Sequence, residues 1–478
     1  MTLRKKAFQG VKWTTVAAII NASVQLIQVA VLTRFLGKED FGLMAIALFV
    51  IGISQIFIDM GLSNSIVYKQ KVNSIQLHTL FWLNIFMGIG IFISLLLFSP
   101  LIAAIYDSPK LEPVINGIAF TFLILPLGQL YETLLKKELQ FKALAARDIY
   151  GKIVGLIVGV TLAIMNFGVF ALVYANLATA FISMTLLVYN GLSIYKPRFN
   201  FSWKSLKEDG FISFGLFQMG ENIVGYFNAQ FDTLLIGKLL GMEALGLYNI
   251  AKTLAFKPYQ IINPILTKVA FPILAKLQNE INRLKETYLN IIGTLTMTNA
   301  PIYIIMMLWA KPLILIFFGP EWESAIPIFR LLCISALCNS IGNPVGALQL
   351  ARGRADLGFY WNAGMLLFMP LSIWIGSFWG LMGVAWALAI FKVVVLFPAW
   401  RFFIYYLCEA KAGEYFWSIG KPILFTLVSA LIGSLVLLLN INDYVSIILG
   451  STVITLCLFF LNLKFNKEIF QNFKGIME

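Results

Sequence analysis

Residues 34–47 read Arg34-Phe-Leu-Gly37-Lys-Glu-Asp-Phe-Gly42-Leu-Met-Ala-Ile46-Ala47, and residues 238–251 read Lys238-Leu-Leu-Gly241-Met-Glu-Ala-Leu-Gly246-Leu-Tyr-Asn-Ile250-Ala251. At an offset of 204 the basic residue, both glycines, the leucine after the second glycine and the Ile-Ala pair coincide. A second echo joins Gly168-Val-Phe-Ala171-Leu-Val-Tyr174-Ala175 to Gly380-Leu-Met-Gly383-Val-Ala-Trp386-Ala387, at an offset of 212. Two echoes at nearly one spacing mark an internal repeat, and a repeat sets the architecture before any single residue does.

The sequence around the repeat is apolar. Of 478 residues, 59% are hydrophobic and 12% charged, with a mean hydropathy of +0.84; soluble domains hold about 45–50% and about 25%. No soluble core hides that much apolar surface, so soluble enzymes, nucleic-acid-binding domains and disulfide scaffolds are excluded. Apolar runs predict fourteen membrane spans: 11–35, 41–66, 76–104, 112–134, 145–166, 168–192, 211–239, 243–272, 284–317, 324–350, 356–378, 380–407, 414–439 and 443–463. Each reaches the ~20 residues that cross a bilayer. The expected fold is therefore an all-α polytopic membrane protein.

The repeat divides it. Residues 1–192 form one six-helix lobe, 193–210 a polar, basic linker, 211–407 a second six-helix lobe, and 408–478 two additional helices and a tail. An even number of helices per lobe inserts both in the same sense, as pseudo-symmetric bundles about an axis along the membrane normal.

Charge orients the chain. A net charge of +13 would suit nucleic acid in a soluble protein, but here it follows the positive-inside rule. With the N-terminus inside, 25 of the 36 basic residues fall on cytoplasmic segments and 5 on the opposite side. Both termini are then cytoplasmic. Arg4, Lys5 and Lys6 precede a span with no small-residue cleavage site, which reads as a retained first helix. The remaining six cations, Lys152, Lys252, Lys257, Arg330, Lys392 and Lys421, lie inside predicted spans. A cation at mid-depth costs at least ~2.5 kcal/mol on insertion scales and should face protein or water.

Polar residues also follow helical spacing. Gln218, Glu221, Gly225, Asn228 and Asp232 are 3, 4, 3 and 4 residues apart, which gathers them on one face of span 7. Thr14, Asn21, Gln25 and Gln28 make a similar face on span 1, and the 204 offset pairs Thr14 with Gln218 and Gln28 with Asp232. A cavity between two lobes requires such stripes; packing between helices, or an Asp232–Lys252 pair, would use the same residues. Asp59 and Glu132 are further buried acids. His78 reads as an interfacial histidine, and Cys333, Cys338, Cys408 and Cys457 lack metal-ligand spacing.

The repeated basic-x-Leu-Gly-x3-[Phe/Leu]-Gly-Leu-x2-Ile-Ala pattern, in a six-plus-six-plus-two context, resembles the polysaccharide-transport branch of the MOP flippase superfamily. Within it the chain is similar to Wzx-type exporters, including the colanic-acid-exporter-like group. The resemblance implies a V-shaped pair of bundles in the bacterial cytoplasmic membrane. It implies alternating access on an undecaprenyl-diphosphate-linked oligosaccharide, among membrane lipids and beside polysaccharide polymerase or export partners. Such a substrate presents an anionic diphosphate, hydroxyls and a long isoprenoid. Lys252, Lys257, Arg330 and Lys392 would answer the diphosphate, and Asn21, Gln25, Gln28, Gln218 and Asn228 the sugar. Asp59, Glu221 and Asp232 are candidates for coupling to a proton or sodium gradient; no cofactor or metal is expected, and no G-x4-G-K-[ST] phosphate loop is present. The alternative is a MATE-like cation-coupled exporter of small molecules, against which the two additional helices and the cations in the spans weigh. An integral glycosyltransferase would need a larger polar segment than Tyr195–Gly210.

Overall fold

The structure, a computed structural model, describes residues 3–59, 66, 72–203, 211–439 and 442–465. Among them every regular element is helical, and twelve helices are long and apolar enough to cross a membrane. The expected count of fourteen differs from this at two places. Spans 7 and 8 fall in one continuous run, Gln218–Pro264, broken by Gly241 at φ 84°. The span expected at 145–166 lies in a 24-residue helix, Phe141–Ile164, whose first turns carry Lys142, Arg147, Asp148 and Lys152; it is not among the twelve.

The chain divides into two compact units, Met1–Asn249 and Ile250–Glu478. The first holds α1 (Leu3–Leu32), α2 (Lys38–Asp59), α3 (Ser74–Ile105), α4 (Leu111–Ala119), α5 (Thr121–Lys137), α6 (Phe141–Ile164), α7 (Phe170–Gly191) and most of α8 (Phe211–Ala255). Asn73 starts α3 through a reciprocal cap: its side chain accepts from the Ile75 amide, and its own N–H donates to Gln76 Oε1 at 2.9 Å. Gly151, Gly155 and Gly159 repeat every four residues along α6 and let α7 approach. A Cβ at Gly155 would collide with Thr179 Oγ1, and one at Gly159 would lie 3.0 Å from Ala175 Cβ. At one end of α6, Arg147 pairs with Glu132 of α5 at 2.5 Å, flanked by Lys136 on Glu132 and Asp148 on Arg147, both at 2.8 Å. The expected buried acid Glu132 is thus part of a structural ion-pair network.

The second unit holds α9 (Lys257–Lys276), α10 (Ile281–Leu308), α11 (Ala310–Phe318), α12 (Ile326–Gly342), α13 (Val345–Ala351), α14 (Ala355–Ser377), α15 (Gly380–Ala399), α16 (Tyr405–Cys408), α17 (Ala412–Ser434) and α18 (Asp443–Phe465). α14 and α15 meet through Gly376 and Gly383, each leaving no room for a Cβ against the other's carbonyl. Trp309, fully buried, anchors α18: its Nε1–H donates to Ser446 Oγ at 3.0 Å, and Gly450 leaves room for its ring. A buried amide cluster joins α9, α10 and α12, where Ser340 Oγ–H donates to Asn263 Oδ1 at 2.8 Å.

The second sequence echo has a backbone counterpart. Gly168 and Gly380, 212 residues apart, both adopt positive φ, 55° and 68°, at the entries to α7 and α15. That conformation disfavours residues with a Cβ, which is why glycine stands at both.

Candidate functional site

The polar stripe on α8 changes character along its length. Gln218 is half-buried, Glu221 and Gly225 are exposed, Asn228 is half-buried, and Asp232 is only 4% exposed. At the open end Gln218 Nε2–H donates to Glu221 at 3.3 Å. At the closed end Tyr248 O–H donates to Asp232 Oδ2 at 2.6 Å, and the Thr233 amide donates to Oδ1 at 2.8 Å. An O–H and an N–H thus give both carboxylate oxygens a donor at a depth where an unsatisfied carboxylate would cost several kcal/mol. The helical spacing foresaw the stripe; Tyr248, which lies beyond the Gly241 break, it did not.

On α1, Asn21, Gln25 and Gln28 are all half-buried. Asn21 Oδ1 is shielded and has no hydrogen-bond partner among the described residues, a polar atom left available in an apolar helix. Gln28 Nε2 lies beside Gly159 of α6, 3.7 Å from where its Cβ would be. Asp59, the third coupling candidate, is half-buried and accepts from Gln129 Nε2 of α5 at 3.1 Å.

The four expected phosphate-binding cations all lie in the second unit. Lys257 opens α9 and is buried, while Lys252 and Lys392 are half-buried. Arg330 is exposed, and its Nε–H donates to the Met307 carbonyl at 3.1 Å. That carbonyl lies in the last turn of α10, so the guanidinium also caps a helix end.

The first sequence echo produces a contact that periodicity could not reveal. A Cβ at Gly42 would collide with the Met242 carbonyl, and one at Gly246 would collide with the Lys38 carbonyl. The 204 offset carries Gly42 to Gly246 and Lys38 to Met242, so the same contact is made twice about a local two-fold. Phe41 and Leu245 are buried beside it, at 5% and 0% exposure. Around it run three ion pairs: Lys38–Glu243 at 3.7 Å, Lys110–Glu39 at 2.8 Å and Lys238–Asp107 at 2.7 Å. Further along α2, Gly52 gives way to the Tyr226 ring, whose O–H donates to the Phe49 carbonyl at 3.1 Å. Exposed ion pairs contribute about 0–1 kcal/mol each, whereas burying each large apolar side chain contributes about 1.5–3 kcal/mol. Packing, not charge, holds this crossing closed. Met242, Glu243 and Tyr226 were missed as contact residues because nothing in one copy of a repeat says that it touches the other.

His78, near the start of α3, is buried within the protein, at 8% exposure. Cys333, Cys338 and Cys408 are buried free thiols, and among the described residues no group of His, Cys, Asp and Glu is arranged to hold a metal ion.

Two solved membrane transporters superpose on this chain. A lipid II flippase, MurJ, in an inward closed conformation superposes with a TM-score of 0.74, over 95% of this chain and 99% of that one, at 12% identity. An inward-facing multidrug MATE transporter of the MOP superfamily gives 0.61, over 86% and 100%, at 13% identity. These likenesses establish the fold as that of MOP-type transporters. The chain belongs to the polysaccharide biosynthesis protein family, whose sequence model matches residues 31–327. It is 33% identical to the teichuronic acid biosynthesis protein TuaB of Bacillus subtilis (strain 168), over 90% of this chain and 89% of that one. It is 30% identical to the lipopolysaccharide biosynthesis protein WzxC of Escherichia coli (strain K12), over 82% and 80%.

Proposed function

We propose that this chain is a flippase that carries undecaprenyl-diphosphate-linked oligosaccharide across the bacterial cytoplasmic membrane by alternating access, for cell-surface polysaccharide synthesis. The carrying observation is the union of a MOP-type fold with sequence relatives, matched over most of their length, named for lipopolysaccharide and teichuronic acid biosynthesis. The two-lobe, fourteen-helix layout, with both termini cytoplasmic, completes the proposal. In that orientation the Gly42–Gly246 crossing lies on the extracytoplasmic side. On this reading, release of substrate outward requires that crossing to part.

Lys252, Lys257, Arg330 and Lys392 supply positive potential to the diphosphate, and the amides of α1 and α8 meet the sugar hydroxyls. Glu221, Asp232 and Asp59 exchange a proton or sodium ion as the cavity alternates. The Asp232–Tyr248 contact favours Asp232 for that role, because a neutralised carboxyl would change its bond to the phenol.

Deletion of the gene should leave undecaprenyl-linked repeat units accumulating on the cytoplasmic face, and the intact chain should clear them. The double variant Lys252→Ala/Arg330→Ala should fail to clear them at normal membrane abundance. Arg330→Lys keeps the charge while losing the planar donor to Met307, and so separates phosphate attraction from the helix cap. Clearance by the double variant at the wild-type rate would remove the cation site. Absence of accumulation in the deletion strain would remove the transport reading itself.

A further inference from the structure

We propose that His78, the only histidine in the sequence, is a proton-operated latch that fastens residues 195–202 to α3 and lets them go when its ring is protonated. The segment lies between α7 and α8 and has no helix or strand ladder of its own over these residues. Its backbone polar groups must therefore find partners elsewhere; the Tyr195 amide finds the Gly191 carbonyl of α7, and the Arg198 and Ser202 amides find side chains on α3. The Arg198 amide donates to His78 Nδ1 at 3.1 Å, and the Tyr195 hydroxyl bonds the same nitrogen. The Ser202 amide donates to Thr79 Oγ1 at 3.0 Å, and Trp82 Nε1–H donates to the Arg198 carbonyl at 3.0 Å. Phe199 packs edge-on to Trp82 with ring centroids 5.2 Å apart, and Phe201 packs on Phe86 at 6.4 Å. His78, Trp82 and Phe86 are four residues apart and form one rail along the helix.

The chemistry of the latch lies in one lone pair. A backbone N–H can only donate, so Nδ1 must be unprotonated and the ring proton must sit on Nε2. An imidazolium has no acceptor nitrogen. Protonation would set an N–H against the Arg198 N–H and place a charge in a buried pocket. The Tyr195 O–H can turn to accept; the Arg198 amide cannot.

The segment presents the Tyr195 hydroxyl and the Arg198 backbone amide, and α5 presents Tyr131, 6.3 Å from Tyr195 by ring centroids. Lys137 of α5 bonds the Ile66 carbonyl at 3.0 Å. Among the described residues no carboxylate is hydrogen-bonded to His78. Burial holds the Tyr195 hydroxyl protonated, above the usual phenol range, so it can donate to the neutral ring. The fastening is thus present while Nδ1 is free to accept and is lost when Nδ1 carries a proton.

On the proposed function, this segment begins the connection between the two lobes, and unlatching it gives up to about 3.3 Å of slack per residue. Acidification would then change how freely the lobes rock. The latch itself rests on geometry alone.

Hydrogen exchange of the full-length protein in lipid nanodiscs, read by mass spectrometry on peptides covering 195–203 and corrected for intrinsic exchange, tests it. Protection of the Arg198 and Ser202 amides should fall about tenfold or more between about pH 8 and about pH 5.5. His78→Asn offers a non-titrating acceptor near the Nδ1 position and should keep protection throughout. His78→Phe should lose it at every pH. Wild-type protection that ignores pH, or a pH profile in His78→Asn matching the wild type, would overturn the proposal. The readout needs no substrate, so a chain that exports nothing yet shows this profile keeps the latch and loses the transport reading.

Discussion

Gly42 rests against the backbone carbonyl of Met242 so closely that no side chain fits between them, and Gly246 rests in the same way on Lys38. A repeated sequence motif has become a self-complementary contact. Both glycines are needed for close approach, since the backbone around Gly42 and Gly246 has ordinary φ values. Adding one methyl at either should therefore separate the crossing and lower thermal stability by about 1–3 kcal/mol. Gly37→Ala, with no atom nearer than Asp40 Oδ2 at 3.8 Å, should be close to neutral. Unfolding in detergent, followed by intrinsic tryptophan fluorescence, checks all three. The Gly42→Ala/Gly246→Ala pair should cost less than the sum, because one interface is disturbed twice.

The ion pairs around that contact should matter for movement more than for stability. Asp107 and Lys238 are 81% and 47% exposed at their side chains, so exchanging them should change stability by no more than about 1 kcal/mol. Tethering is another matter. Lys38→Cys and Glu243→Cys joined by a short reducible bis-thiol reagent should stop export of lipid-linked saccharide, and reduction should restore it. Continued export with the tether intact would show that this end stays closed through the whole cycle.

Tyr248→Phe should destabilise the protein by about 1–3 kcal/mol, because it strips a hydroxyl donor from a buried carboxylate. Asp232→Asn keeps one acceptor, so its oxygen can still take the Tyr248 O–H while the Thr233 amide loses its partner. The second variant also reads coupling: reconstituted Asp232→Asn should no longer respond to an imposed proton or sodium gradient. A full response in that variant would transfer the coupling role to Glu221 or Asp59.

Removing one partner of the Glu132–Arg147 pair should cost about 3 kcal/mol, because the other is left partly buried without its main counter-ion. Lys136 and Asp148 soften the loss. The double variant Glu132→Leu/Arg147→Met should recover much of it, and a double-mutant cycle of unfolding free energies measures the recovery. Equal costs for single and double variants would mean that the two charges do not act as a pair.

Much of this molecule could be read from the chain because the signals are local and redundant. Apolar runs of membrane length, the excess of basic residues on alternate breaks and the 3-4-3-4 spacing of Gln218, Glu221, Gly225, Asn228 and Asp232 depend only on neighbours along one helix. The two echoes announced the repeat for the same reason, and positive φ at both Gly168 and Gly380 gives one of them a physical cause. Partners were not legible. Asp232 and Tyr248 are separated by the Gly241 break, Glu132 meets Arg147 across a turn, and His78 takes its hydrogen bonds from residues more than a hundred positions away.

The sequence by itself determined that this is a helical membrane protein built by repetition, with polar stripes that a soluble core would not explain. Only the tertiary structure decided that the repeats touch at their glycines, that Asp232 is held by a phenol and that His78 is buried under the segment after α7. Hydropathy and periodicity are properties of a residue and its near neighbours, and they survive in a one-dimensional text. Which donor meets which acceptor depends on where whole helices come to rest. Packing sets that, through the volumes of residues such as Gly42, Gly246 and Gly155 that make room for a neighbouring backbone.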